Sequence, residues 1–350
     1  GFDYYWGIPA SMNYGVLAWF EGRFAKVPPT QYTAKKPNKV AISDYRIKPL
    51  YTKRPPENRN PQDLEVAPDF VDIECLDRFT TQSIKWLDGR AKAAREGKPF
   101  FLYLPYTSPH KPVIPMAQFN GQGNAGAYGE FMVETDWHLG RILNWLDNKK
   151  LVKNTMVIFT SDNGPENTWK KRVELHRHHS NGIYREGKRS IYEGGHRVPF
   201  IIRWPAKVEA GSKWDQPVCQ TDLLSTFAEM LGKRLPENAG EDSDSFLDVL
   251  MGAKETEPRV AMVHHGISGR YALREGKWKL VMEDGRKNKR ELYDLSTDPG
   301  ETDNVAIDHP DLERTLTAKL TSLIKNGRST PGRPQKNDTP LWRDLVWMKK

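Results

Sequence analysis

The chain has 350 residues, 37% hydrophobic and 28% charged, enough for one large domain plus a smaller one, and no stretch of about 20 apolar residues that would cross a membrane. With 53 Lys and Arg against 45 Asp and Glu, the net charge of +8 favours anionic partners: nucleic acid, a membrane surface, or a sulfated or phosphorylated substrate. Cys75 and Cys219 are too few for a disulfide framework, and their spacing fits no zinc ribbon.

Residues 1–68 are rich in Pro, Tyr, Lys and Gly with little periodicity, and read mostly as loop. Much of the basic excess falls in 23–60 and after 325, where Pro and Asn mark solvated loops. From Asp69 the pattern changes: Phe70, Ile73, Leu76, Phe79, Ile84 and Leu87 recur at helical spacing and predict an amphipathic helix to Arg95, ended by Gly97. PFFLYLPY (99–106) is a continuous apolar run, the mark of a strand buried on both faces. A second helix is predicted over 128–150, with Phe131, Thr135, Leu139, Ile142, Leu143 and Leu146 on one face. TMVIFT (155–160) and VPFIIRWP (198–205) are again buried-type strands, and TDLLSTFAEMLG (221–232) is a helix with Asp222 near its start. Helices alternating with such strands predict an α/β fold, a mostly parallel sheet flanked by helices, with 99–104 and 155–160 as neighbouring parallel strands. After Gly252 the texture differs. RVAMVHH, RYALREG, KWKLVME and ELYDL predict a smaller antiparallel meander, packed by one helix over 311–325. The expected division is therefore 1–252, 253–328 and a loose tail at 329–350.

In a parallel sheet ligands bind beyond the carboxyl ends of the strands. His110 of SPHKP and Asp162-Asn163 of SDNG both sit there. Asn163-Gly164 alone reads as a tight turn, since both residue types tolerate positive φ. A carboxylate and an amide oxygen at a strand end are also good ligands for a hard cation. GKRSIYEGG (187–195) puts Lys188 near a Glu-Gly-Gly turn, although a lone lysine is usually solvated surface. HRHHS (176–180) fits neither a helical i, i+4 histidine pair nor a zinc-finger spacing.

Taken together, the order strand, SPHKP, helix, strand, SDNG, loop, GKRSIYEGGHRVPF resembles the sulfatase family, of the arylsulfatase type within the alkaline-phosphatase-like superfamily. GFDYYWG (1–7), TDLLSTFAEMLG and ELYDLSTDPGETDNVA (291–306) extend the resemblance over nearly the whole chain. It implies a sulfuric ester hydrolase cleaving an aryl or carbohydrate sulfate. Asp162 and Asn163 match the family's downstream metal ligands, usually to Ca2+. His110 matches the histidine that protonates the leaving oxygen, and Lys188 the lysine on a sulfate oxygen. The physical chemistry agrees: a hard cation and a lysine stabilise charge spreading over sulfate oxygens, and an imidazolium can supply the leaving-group proton. His179 and His265 lie in loops expected to form the rim, and are read as substrate-binding. The resemblance implies a secreted or periplasmic protein with a sulfated small molecule or glycan as its partner, and neither nucleic acid nor membrane. The sequence does not give an oligomeric state.

The family's nucleophile is a formylglycine made from Cys or Ser in a Cys/Ser-x-Pro-x-Arg motif. ECLDR (74–78) and VCQTD (218–222) do not match it, and no serine is expected to offer the pattern either. The family's paired acidic ligands and its Lys-x-x-His-type segment are missing too; GKWKL (276–280) imitates the latter but reads as a strand of the meander. The chain is therefore expected to be a truncated, inactive portion, with the formylglycine in a missing N-terminal part, weak metal binding and exposed apolar sheet edges. Alternatives are a phosphodiester or phosphonate hydrolase of the same superfamily and a non-catalytic polyanion-binding protein.

Overall fold

The computed structural model describes residues 1–35, 52–253, 259, 261–285, 289–337 and 345–349. Parts of the basic stretch (36–51), of the expected boundary (254–258) and of the tail (338–344) lie outside the described residues. Two compact units form: Gly1–Thr155 with Thr168–Ser180, and Met156–Asn167 with Asn181–Lys350. This division does not follow the boundary placed at 252.

In the first unit β1 (Trp6–Gly7), β2 (Phe20–Glu21) and β3 (Phe24–Ala25) make a small antiparallel sheet, and β4 (Gln31–Thr33) pairs antiparallel with β5 (Leu64–Val66). The helical spacing after Phe70 becomes α1 (Cys75–Asp88), which stops at Gly89; a separate short α2 (Ala91–Arg95) follows. The single helix expected to Arg95 is thus broken at the residue with the weakest hold on helical backbone. A two-residue β6 (Asn124–Ala125) leads into α3 (Gly126–Asn148). Helices α1 and α3 are joined by Arg141, which donates to Asp77 at 2.6 Å and to Thr81 at 2.9 Å, and by the Trp145 indole, which donates to Asp88 at 3.0 Å. Leu17, Trp19, Phe70, Leu76, Phe79 and Phe131 close the core here. Each such side chain contributes roughly 1.5–3 kcal/mol of burial. The unit also contains α4 (Trp169–His176).

The run 99–106 joins no sheet among the described residues. Its side chains alternate between covered and open, with Phe101 61% and Tyr103 68% exposed. Apolar content alone does not separate a strand covered on two faces from one covered on a single face, and this run is of the second kind.

In the second unit β7 (Val157–Thr160) pairs with β8 (Phe200–Arg203), Thr160 opposite Phe200. The pair is antiparallel. A parallel partner needs a crossover that carries the chain back to the start of the strand. Here the chain returns at the end it left, so residues 161–199 begin and finish at one end of the ladder. That connection ends in the single-turn α5 (Glu193–His196). Then come α6 (Asp222–Met230) and α7 (Leu247–Leu250). The expected meander is present as β9 (Met262–His265), β10 (Tyr271–Glu275), β11 (Trp278–Val281) and β12 (Glu291–Asp294), in the order β12-β11-β10-β9, all antiparallel. Alternate side chains serve two faces. Leu273, Leu280 and Leu292 pack on Leu316 and Leu320 of α8 (Pro310–Asn326), while Ala272, Val281 and Tyr293 pack on Ile191 and Tyr192. The chain is therefore α/β with a C-terminal antiparallel sheet covered by one helix, and that sheet's second face is covered by the segment leading to α5.

Candidate active site

Gly164 explains the SDNG stretch differently from a turn. Neither Asn163 nor Gly164 has a positive φ, so the tight Asn-Gly turn does not form. A Cβ on Gly164 would instead collide with the carbonyl of Gly194, and one on Gly194 with those of Arg185 and Glu186. The two glycine stretches interlock backbone to backbone. Gly164 N–H donates to Gly195 O at 3.0 Å, Lys188 N–H to Pro165 O at 2.8 Å, and Gly194 N–H to Arg185 O at 2.9 Å. Asp162, Asn163 and Lys188 are thereby carried on segments joined to each other. Asp162 is exposed, Asn163 and Lys188 half-buried. The Asn163 amide nitrogen donates to Gly164 O at 2.9 Å, which leaves Oδ1 as its ligand atom.

The loop around Lys188 is held in an unusual backbone. Glu186 and Arg189 have φ of 59° and 78°, a region that costs side-chain-bearing residues roughly 1–3 kcal/mol and persists only where surroundings enforce it. Arg189 supplies part of that enforcement through a bidentate pair with Glu166 at 2.7 and 2.9 Å. The guanidinium holds the Glu166 carboxyl down to about 2. Ile267 N–H, in the β9–β10 turn, donates to Arg189 O at 3.0 Å.

Behind the turn lies a buried ionic group that the sequence reading missed. Lys279 of β11 is fully buried, its ammonium 2.9 Å from Glu193 Oε1 and 2.8 Å from Glu301 Oε1. Glu193 N–H donates to Glu301 Oε2 at 2.6 Å. His196 Nε2 lies 3.3 Å from the ammonium; an ammonium cannot accept, so this nitrogen is the acceptor and its 3.2 Å approach to Ile191 O is no hydrogen bond. The His196 and His264 rings stack at 4.0 Å. Burial, reinforced by Lys279, pushes His196 down to about 4 and His264 well below the usual imidazole value. Burial would raise Glu193, but Lys279, His196 and Arg274 together hold it below the ordinary carboxylate range; at Glu301 burial prevails and the shift is upward. A charged residue inside an alternating strand is the signal the sequence offers for Lys279.

The remaining candidates fall as follows. His110 and His179 belong to the first unit, and Asp162, Asn163, Lys188 and His265 to the second. His110 is half-buried, and its Nδ1 lies 2.7 Å from Lys111 O; a carbonyl only accepts, so Nδ1 is the ring nitrogen that carries the proton in that contact. Thr135 of α3 ties down Ser108, two residues before His110, by a 2.7 Å bond. His179 is exposed; His265 is exposed and stacks on Tyr271 at 4.4 Å. His176, His178 and His179 form no metal-ligating group among the described residues.

For a cation, Asp162 and Asn163 fit in kind, both offering oxygen. In number they do not complete a calcium shell of about six to eight oxygens. Among the described residues the group of three acidic or histidine ligand atoms within reach of one another is Glu193, His196 and His264. Lys279 already occupies the cation's place there. A serine does carry the nucleophile spacing, contrary to the sequence reading: Ser329-Thr330-Pro331-Gly332-Arg333. It follows α8, and its backbone is bonded to Glu241, Asp242 and Glu237 rather than to the SDNG and Lys188 segments.

Comparison with known proteins bears on the same residues. The Sulfatase family model matches residues 30–233. The chain belongs to the sulfatase family. A second model, N-sulphoglucosamine sulphohydrolase, C-terminal, matches residues 182–328 of the chain. It is 38% identical over 243 residues to an N-acetylgalactosamine-6-O-sulfatase of Bacteroides thetaiotaomicron, covering 65% of this chain and 47% of that protein. It is 37% identical over 168 residues to human steryl-sulfatase, covering 48% of this chain and 29% of that protein. The chain thus spans less than half the length of these curated relatives. A solved structure from the metabolism of multiple glycosaminoglycans by Bacteroides thetaiotaomicron is 29% identical, with a TM-score of 0.75 over 92% of this chain and 72% of that one. The PsFucS1 sulfatase from Pseudoalteromonas sp., 24% identical with a TM-score of 0.60 over 74% of this chain and 55% of that one, shares the fold.

Proposed function

We propose that this chain is a portion of a sulfuric ester hydrolase acting on a sulfated sugar, with aryl sulfates as the minor alternative. His110 protonates the leaving oxygen, Lys188 binds a sulfate oxygen, and Asp162 and Asn163 contribute to a Ca2+ site completed by ligands from elsewhere. When bound, the cation supplies Lewis-acid stabilisation of charge on the sulfate oxygens. The nucleophile is a formylglycine formed outside these residues, from Cys or Ser. What carries the reading is the interlock of the SDNG and Glu-Gly-Gly stretches, which joins a hard-cation ligand pair to a lysine by backbone bonds. Its support for a sugar is the 38% identity to a carbohydrate sulfatase. The named relatives are sulfatases, and none of these observations favours phosphodiester or phosphonate hydrolysis or simple polyanion binding.

The test is kinetic. The purified 350-residue chain is expected to hydrolyse sulfate esters no faster than background. Metal-dependent turnover by it would sink the claim that the nucleophile lies elsewhere. In an active enzyme containing these residues, His110→Ala and Lys188→Ala should each lower kcat by ~10²-fold or more, the ordinary worth of a positioned acid or charge-stabilising group. Unchanged kcat in both removes them from the chemistry.

A further inference from the structure

Resting on the assignment of Asp162, Asn163 and Lys188 above, we propose that Lys279 of the C-terminal sheet is the positioning residue for the loops that hold them: its ammonium ties Glu193 to Glu301 and fixes the Glu-Gly-Gly turn onto which those loops are bonded. The route is continuous within one unit. Lys279 contacts Glu193 at 2.9 Å; Glu193 opens the turn whose Gly195 carbonyl takes the Gly164 amide at 3.0 Å, one residue from Asn163. On the other side Glu301 accepts the Glu193 amide at 2.6 Å, and its carbonyl takes Arg185 at 2.9 Å. Arg185 in turn offers its own carbonyl to Gly194 at 2.9 Å. Glu301 is itself held at φ 52°, so its placement is enforced from outside.

A buried ion pair is poor evidence for stability, because apolar residues of the same shape often do as well or better. What it supplies is a single geometry. The ammonium faces Glu193, Glu301 and His196 from the sheet, while Arg274 of β10 and Arg197 each lie 3.5 Å from Glu193 Oε2. Those arginines keep Glu193 paired when Lys279 is removed, but they do not bridge it to Glu301. Removing Lys279 therefore leaves Glu193 paired with the arginines but held to Glu301 by its amide alone, and takes the cation from the Glu301 carboxylate, which loosens the turn. The glycine interlock transmits any shift at once, since Gly194 and Gly164 have no room between them.

Two readouts other than turnover test this: amide hydrogen exchange at Gly164 and Lys188, and Ca2+ titration of the whole chain by calorimetry. Lys279→Met is compared with Leu320→Ala, a fully buried α8 position on the opposite face of the sheet, at denaturant concentrations giving equal global stability. Lys279→Met should speed exchange at both amides on the order of tenfold more than the control, and weaken the Ca2+ Kd by a similar factor. Glu193→Gln, which keeps the shape, should shift both readouts the same way by less, and serves if Lys279→Met does not fold. Equal exchange in variant and control makes Lys279 merely structural and overturns the proposal, whatever Ca2+ does. No Ca2+ binding by the unmodified chain, with the exchange difference intact, removes the metal assignment and leaves the tether standing.

Discussion

Gly164 shows how one missing side chain lets two stretches meet. The Gly194 carbonyl occupies the position a Cβ would need, and Gly194 in turn sits against the Arg185 and Glu186 carbonyls. Because the obstacles are backbone, they cannot swing aside as a side-chain tip would. Gly164→Ala should therefore cost at or above the upper end of the roughly 1–3 kcal/mol typical of overpacking. It should also break the Gly164–Gly195 hydrogen bond and lower affinity for Ca2+. Urea unfolding gives the first number and calorimetry the second. A loss below about 0.5 kcal/mol, within the range of an ordinary surface change, would mean the turn relaxes freely, and the interlock would explain nothing.

Among the elements, the connection from β7 to β8 and the β9–β10 turn carry the candidate specificity groups. Ile267 N–H on Arg189 O fastens that turn to the Lys188 loop, with His265 just before it. His265→Ala, and on the sequence reading His179→Ala, should raise KM for a sulfated sugar more than for a small aryl sulfate, with kcat spared. Binding lost away from the reacting centre behaves in that way. Equal changes on both substrates, or none, would exclude these residues from specificity. The C-terminal meander and helices α1, α3, α6 and α8 could be read from periodicity because each has one covered face and a clean alternation or 3.6-residue repeat. The direction of β7 against β8 could not, since strand sequence carries no sign of its partner's direction. Asp162, Asn163, His110 and Lys188 are proposed from local motifs. Glu193, Lys279 and Glu301 are not, because they are 86 and 22 residues apart in sequence and meet only when β11 is covered on both faces.

For the molecule as a whole, buried neutral histidines and a depressed carboxylate set how stability follows pH. His196 titrates at about 4 in the fold against 6.5 when unfolded, and His264 is shifted the same way. Between those values the unfolded chain binds protons that the folded chain refuses. Stability is therefore full above pH 6.5 and falls as pH drops toward 4, by on the order of 3 kcal/mol for His196. Glu166 has the carboxylate case: its folded value of about 2 lies below the unfolded 4.5, so its contribution is complete above pH 4.5 and is lost as pH falls toward 2. That pair is partly open to solvent, and screening reduces it to about 1 kcal/mol or less. Two descents are thus expected, a larger one from pH 6.5 to 4 and a smaller one beneath it. Urea midpoints at pH 7.5, 5.5 and 4.5 check the first, with His196→Gln as the comparison. The variant has no imidazole at that position to protonate on unfolding, so its midpoint should fall less across this range, with His264 and His178, both lowered by burial, still contributing. Parallel pH profiles in the two proteins would show that burial and the Lys279 charge do not hold the His196 ring neutral.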